Sequence, residues 1–218
     1  SSGSPFGYLC AAGVVFKLAH ALLKTRPIEG FDLKNYLDLV PMATISDIVP
    51  LVDENRLLVR HGLKRMSESR NAGIKALMGV AQVKGPLTSA DVGFRIGPRI
   101  NAAGRMDKPE DALAMLVTQD AAEAQKLADT LDAHNRARQA EEQRIHKDAL
   151  SRLEAECDPS EPVIVLGSRD WHPGVVGIVA SRMMRRYHKP AFIIAIDEQG
   201  IGKGSGRSIH GISLMDAI

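Results

Sequence analysis

The sequence predicts an α/β protein, mostly helical through its first two thirds and ending in a βαβ unit. Three observations carry this. Apolar residues recur at helical spacing over much of the first 120 residues. From Ala121 to Glu156 there is neither glycine nor proline. Beyond Pro162, two short apolar runs, Val163–Leu166 and Ala191–Ile196, flank a helical segment.

The first helix spans about residues 8–25, where Leu9, Ala12, Val15, Phe16 and Ala19 share a face. Asp32 is placed to cap a short helix carrying Leu33, Leu37 and Val40, which Pro41 should end. Two more helices follow over 55–68 and 73–81. Asp107-Lys108-Pro109-Glu110 reads as a helix start with proline just inside it, and Asp120 opens the glycine-free run. That run would span about 54 Å at 1.5 Å per residue, which suits a connector between domains. Its alternating charges (Arg136, Arg138, Glu141, Glu142, Arg144) read as a solvated face. Asp158-Pro159-Ser160-Glu161-Pro162 then marks a boundary. The organisation is therefore residues 1–120, a connector over 121–158, and a second domain over 159–218. In that domain the strands should be parallel, with a loop over 167–173 and a helix from Gly174 to Tyr187.

Composition narrows the functional classes. The chain has 218 residues, with Lys+Arg 28 against Asp+Glu 26, so any polyanion contact must come from local clustering. Cys10 and Cys157 lie in no metal-ligand spacing and suggest a reducing compartment. No apolar run approaches a membrane span and no signal peptide opens the chain, so a soluble, cytoplasmic protein is expected. The opening Ser-Ser-Gly-Ser reads as a tag scar, a loop or a cut end.

Four stretches carry chemistry. Gly93 to Arg105 holds Arg95, Arg99 and Arg105 with three glycines and Asn101, and Pro98 should forbid a continuous helix through it. It suits either a bidentate grip on phosphate or a glycine-rich turn with solvated arginines. Met42 to Leu51 is apolar and proline-bounded, with Asp47 in its midst as a metal ligand or a helix cap. Trp171-His172-Pro173-Gly174 lies beyond a strand's carboxyl end, where α/β folds bind ligands. Gly202-Lys203-Gly204-Ser205-Gly206-Arg207-Ser208 has the ingredients of an anion site, or of a tight hairpin; it lacks P-loop spacing.

These stretches in this order, Ala43–Leu51, Ile96–Arg105, Trp171–Arg182 and Gly204–Ser208, resemble successive motifs of the DHH phosphoesterase family, in its single-strand exonuclease branch. The resemblance implies the closing, mostly helical part of a DHH domain, a connecting helix and a truncated DHH-associated domain. It implies 5′→3′ hydrolysis of single-stranded DNA in repair and recombination, with two Mn2+ or Mg2+ ions. Asp47 would be a catalytic metal ligand and His172 a catalytic or phosphate-contacting residue. Arg99, Asn101, Arg105, Ser205, Arg207 and Ser208 would face the substrate. Because the two glycine-rich arginine stretches lie on either side of the long helix, Arg105, Ser205 and Arg207 are expected to clamp a 5′ phosphate together. A single-strand-binding protein or a helicase would be the protein partner, with no membrane involved. Aromatic content is only 4%, against extensive base stacking.

The family's Asp-x-Asp and Asp-His-His motifs do not occur in this sequence. By resemblance, then, the chain is expected to be a segment of a longer exonuclease, missing both ends and inactive alone. The alternatives are a DHH phosphodiesterase of short oligonucleotides and a non-catalytic DHH scaffold protein.

Overall fold

The computed structural model describes residues 7–106 and 109–217. It divides into two compact units, one running to Asn135 and the other starting at Arg136. The division falls inside one continuous helix.

The first unit is helical. Its elements are α1 (Ala11–Thr25), a 3-10 turn (Leu33–Tyr36), α2 (Leu39–Ser46), α3 (Asp53–Ser67), α4 (Ala72–Val80), α5 (Ser89–Asp91), a π-helical turn (Val92–Ile96), α6 (Gly97–Met106), α7 (Pro109–Val117) and the first part of α8 (Ala121–Glu156). Met66, Ile74, Leu77, Val92, Ile96, Met115 and Leu131 form a fully buried core. Ala124 and Ala128 of α8 join it, so this end of the long helix is built into the unit. The expected caps are present. Asp32 accepts the Lys34 N–H at 3.0 Å, and Asp120 accepts those of Ala122 and Glu123 at 2.7 and 3.2 Å. Asp107 and Lys108 lie outside the described residues.

Both prolines expected to stop helices sit inside them. Pro41 is the third residue of α2, in the first turn, where a missing N–H breaks no intrahelical bond. Pro98 is the second residue of α6 and follows the π turn, whose Gly97 N–H reaches back five residues to the Val92 carbonyl. The widened turn lets the chain stay helical from Ser89 to Met106 although Pro98 donates no hydrogen bond.

The second unit holds the rest of α8, β1 (Ile164–Ser168), α9 (Val176–Tyr187), β2 (Ala191–Ile196), β3 (Gly202–Arg207) and α10 (Leu214–Ala217). β1 and β2 pair in parallel around α9, as expected, and β3 returns antiparallel to β2. The glycine-rich segment is thus an edge strand, and the register explains its alternation. Gly202, Gly204 and Gly206 pair with Ile196, Ile194 and Phe192, sharing their face of the sheet. A Cβ on Gly204 would come within 2.8 Å of Ile194 Cγ1, and one on Gly206 within 2.7 Å of Phe192 Cε1. Lys203, Ser205 and Arg207 therefore all fall on the opposite face, in register with buried Ala195, Ile193 and Ala191.

Two glycines of α4 should respond oppositely to alanine. At Gly79 an added Cβ would have nothing within 4 Å, so Gly79→Ala should stabilise the first unit by up to about 1 kcal/mol. Gly73 lies against the Met115 carbonyl, where a Cβ overlaps backbone, so Gly73→Ala should lower Tm despite alanine's helix preference. Thermal denaturation of the two variants checks the pair.

Candidate phosphate site at the start of helix α9

The chain reaches α9 through a loop that is fastened residue by residue to α8. Arg152 donates to Ser168 Oγ at 3.4 Å, Arg144 donates to the Asp170 carbonyl, and Trp171 Nε1 donates to Asp148 Oδ2 at 2.8 Å. Glu141, on the same face of α8, is held by Arg144 through two nitrogens at 2.9 and 2.7 Å. Glu141, Arg144, Asp148 and Arg152 recur at spacings of three and four, which is one face of a helix. Trp171 is 3% exposed, with the Arg152 guanidinium 5.8 Å from its ring centroid.

A second tie joins α8 to α9. Glu142, 4% exposed, accepts Arg138 Nη1 and Arg182 Nη2, each at 2.6 Å. Arg138 and Glu142 are thus buried structural contacts rather than the solvated face expected from their alternation, while Arg144 is solvated as expected and also binds the loop. Their spacing along the helix was the signal that could have identified them. Burial lowers the His146 pKa, helped by the nearby Arg182 and Arg186 charges and opposed by Glu142.

Two sequence-predicted site residues come together where α9 begins. Arg207 Nη1 donates to Ser205 Oγ at 2.8 Å and to the Gly206 carbonyl at 2.7 Å, while Nε donates to Ser181 Oγ at 3.2 Å. Gly177, in the first turn of α9, lies against them: a Cβ there would stand 3.1 Å from Ser205 Oγ and 3.5 Å from Arg207 Nη2. Bare backbone at a helix N-terminus, two hydroxyls and an exposed guanidinium form an arrangement suited to an anion. Ser181, one turn into α9, was not expected; it lies in the motif but carries no charge to mark it. Ser208 Oγ is buried without a hydrogen-bond partner in the structure. His172 lies just ahead of the same turn, its carbonyl accepting the N–H groups of Val175 and Val176 at 3.0 and 3.3 Å.

The other predicted residues lie in the first unit. Asp47 is exposed at the C-cap of α2, its N–H bonded to the Ala43 carbonyl at 3.0 Å. The next residue, Ile48, has φ +56°. Asn55, buried on α3, donates to the Pro50 carbonyl at 3.1 Å and so fastens the segment after Asp47. α6 packs on the end of α2, where a Cβ at Gly97 would overlap Ser46 Oγ. Arg99 turns inward: Nε and Nη2 contact Asp132 on α8 at 2.9 and 2.8 Å, Nη2 also reaches the Val80 carbonyl at 3.3 Å, and Nη1 donates to the Arg95 carbonyl at 2.5 Å. Asn101 and Arg105 are exposed on α6. Among the described residues, no group of three His, Cys, Asp or Glu side chains is placed to hold a metal ion. These residues therefore do not by themselves fit a two-metal centre, and no hydrolytic step is assigned to them. No described helix is long and apolar enough to cross a membrane.

Comparison with known proteins defines the class of the second unit first: residues 160–218 match the DHHA1 domain. The chain as a whole is similar to the single-stranded-DNA-specific exonuclease RecJ. It is 40% identical to RecJ of Bacillus subtilis (strain 168) over 98% of this chain and 27% of that protein. It is 39% identical to RecJ of Escherichia coli (strain K12), over 98% of this chain and 40% of that one. The Mg2+ complex of RecJ from Thermus thermophilus superposes with a TM-score of 0.82 at 40% identity, over 94% of this chain and 31% of that one. A RecJ exonuclease bound to manganese gives 0.80 at 39% identity, over 94% and 50%. The chain spans 27% and 40% of the length of these two curated relatives.

Trp171 is the only tryptophan, so its fluorescence reports the loop's attachment to α8. Burial raises the Asp148 pKa, but bonds from Trp171 and Arg152 and the nearby arginine charges win and hold it below 3.8. Bonds from Arg144 hold Glu141 below 4.5, against the opposing effect of burial. Both carboxylates are depressed in the fold, so their contribution is present above those ordinary values and is lost as pH falls through the lower folded ones. Trp171 emission should stay blue until the pH drops below 3.8, the ordinary aspartate value. In Asp148→Ala it should be red-shifted already at neutral pH. An acid titration of both proteins checks this.

Proposed function

We propose that this chain is the strand-gripping part of a single-strand-specific 5′→3′ DNA exonuclease, and that the cluster at the start of α9 holds a phosphate of the strand. The observation that carries the reading is Arg207, aimed by Ser181 and Ser205 beside the bare first turn of α9. A guanidinium oriented by hydroxyls is pre-organised for a phosphate's paired oxygens, so less freedom is lost on binding. The names of its relatives supply the substrate class, and the Mg2+ and Mn2+ in their solved structures supply the metal class. Asp47 would give one carboxylate to a metal centre completed by residues outside those described, with Asn101 and Arg105 as further strand contacts in the first unit. Arg99, bound to Asp132, would act by fixing α6 rather than by touching DNA.

Arg207→Ala should weaken binding of a 5′-phosphorylated oligothymidylate about tenfold, the scale of one charge-assisted hydrogen bond. It should also lessen the slope of log K against log salt by about 0.7, one phosphate's worth on a single strand. The loss should be smaller with a 5′-hydroxyl strand. Asp47→Ala is the control: its side chain is exposed, so Tm and strand binding should not change. Fluorescence anisotropy across a salt series measures these outcomes. Equal losses on the two strands would make Arg207 a general backbone contact.

A further inference from the structure

One hydrogen bond decides what the His172 ring can do. The Gly174 backbone N–H donates to His172 Nδ1 at 3.1 Å. A ring nitrogen that accepts carries no proton, so the neutral imidazole keeps its proton on Nε2. The rest of the residue is committed as well. Its carbonyl accepts from Val175 and Val176 at 3.0 and 3.3 Å. Trp171, on one side, is fixed to Asp148. Pro173, on the other, is locked near one φ by its ring. Among the described residues nothing hydrogen-bonds Nε2.

We propose that His172 serves the site as a hydrogen-bond donor, presenting Nε2–H to a phosphate oxygen of the strand, and not as a metal ligand or general base. This rests on the phosphate-site reading above and specifies one contact within it. A metal ion or an abstracted proton needs the lone pair on Nε2. Exposing that lone pair means moving the proton to Nδ1, which breaks the bond from Gly174 and sets two N–H groups against each other. Histidines that ligate metals show the reverse pattern, donating their second nitrogen's proton to a carboxylate or carbonyl. The fastening of residues 168–171 to α8 suits a donor, because a donor's worth depends on its direction being held.

The test combines two variants with a direct reading of the ring in the full 218-residue chain. Nitrogen-15 spectra of histidine-labelled protein, at a pH where the ring is neutral, should show the His172 proton on Nε2. Its signal should move when 5′-phosphorylated oligothymidylate is added. His172→Gln places an amide N–H near the Nε2 position and should bind the strand within about threefold of the parent. His172→Asn is too short to reach and should bind about tenfold more weakly, with both variants keeping the parent's Tm. A proton on Nδ1, or equal losses in Gln and Asn, overturns the donor role. So does a strand that binds while the His172 signal stays still and both variants bind like the parent; the phosphate site at Arg207 then survives without His172. A parent chain that binds no strand at all overturns the phosphate-site reading, and the inference with it.

Discussion

The second unit depends on the attachment of the end of β1 and the loop after it to one face of α8. Residues 169–172, after β1, contain little regular structure of their own, and an unsupported loop is where backbone moves most. Here Ser168, Asp170 and Trp171 each bond a different charged side chain of α8: Arg152, Arg144 and Asp148. The loop leads directly into α9, so the same bonds set where the first turn of that helix begins. Gly177, Ser181 and the β3 side chains that reach them are aligned with that turn. Loosening Trp171 would shift the frame in which Arg207 and Ser205 meet the helix, without touching either of them.

Glu142 adds a stricter constraint on the same two helices. A carboxylate 4% exposed has little water to stabilise it, and two guanidiniums at 2.6 Å take water's place. The pair with Arg138 lies within α8, whereas Arg182 comes from α9. Removing Arg138, the largely buried partner, would leave that carboxylate short of charge at a cost of about 3–5 kcal/mol; Arg182 is half exposed, so solvent would soften its loss. An apolar contact would hold the helices together as well. Charge adds direction: Arg182 reaches across to Glu142 from the turn of α9 whose Ser181 accepts from Arg207.

What could be read from the sequence was whatever depends on near neighbours. The helix caps at Asp32 and Asp120, the long helix and the paired runs Val163–Leu166 and Ala191–Ile196 all rest on local signals. Pro41 and Pro98 misled because their effect depends on position within a turn, and in one case on a π turn that sequence spacing does not reveal. The glycine-rich segment is a strand because Phe192 and Ile194 fill the space over its glycines, a partnership set by register across the hairpin. The charges of α8 looked like a solvated face because their partners, Asp170, Trp171 and Arg182, lie far along the chain. Of the candidate site, Ser205, Arg207 and His172 were legible from their motifs. Ser181 was not, since a serine inside a helix carries no mark until Arg207 is seen beside it. Arg99 shows the converse: its motif suggests a ligand contact, while Asp132 engages it within the fold.

The first turn of α9, with Ser181, Ser205 and Arg207, is where we propose a strand's phosphate binds. Backbone amide shifts of the labelled chain, followed as 5′-phosphorylated oligothymidylate is added, test it most directly. The largest and earliest changes should fall on Gly177, Ser181 and residues 205–208, and should fade as salt is raised. Changes confined to the first unit, with those amides unmoved at saturation, would contradict that proposal.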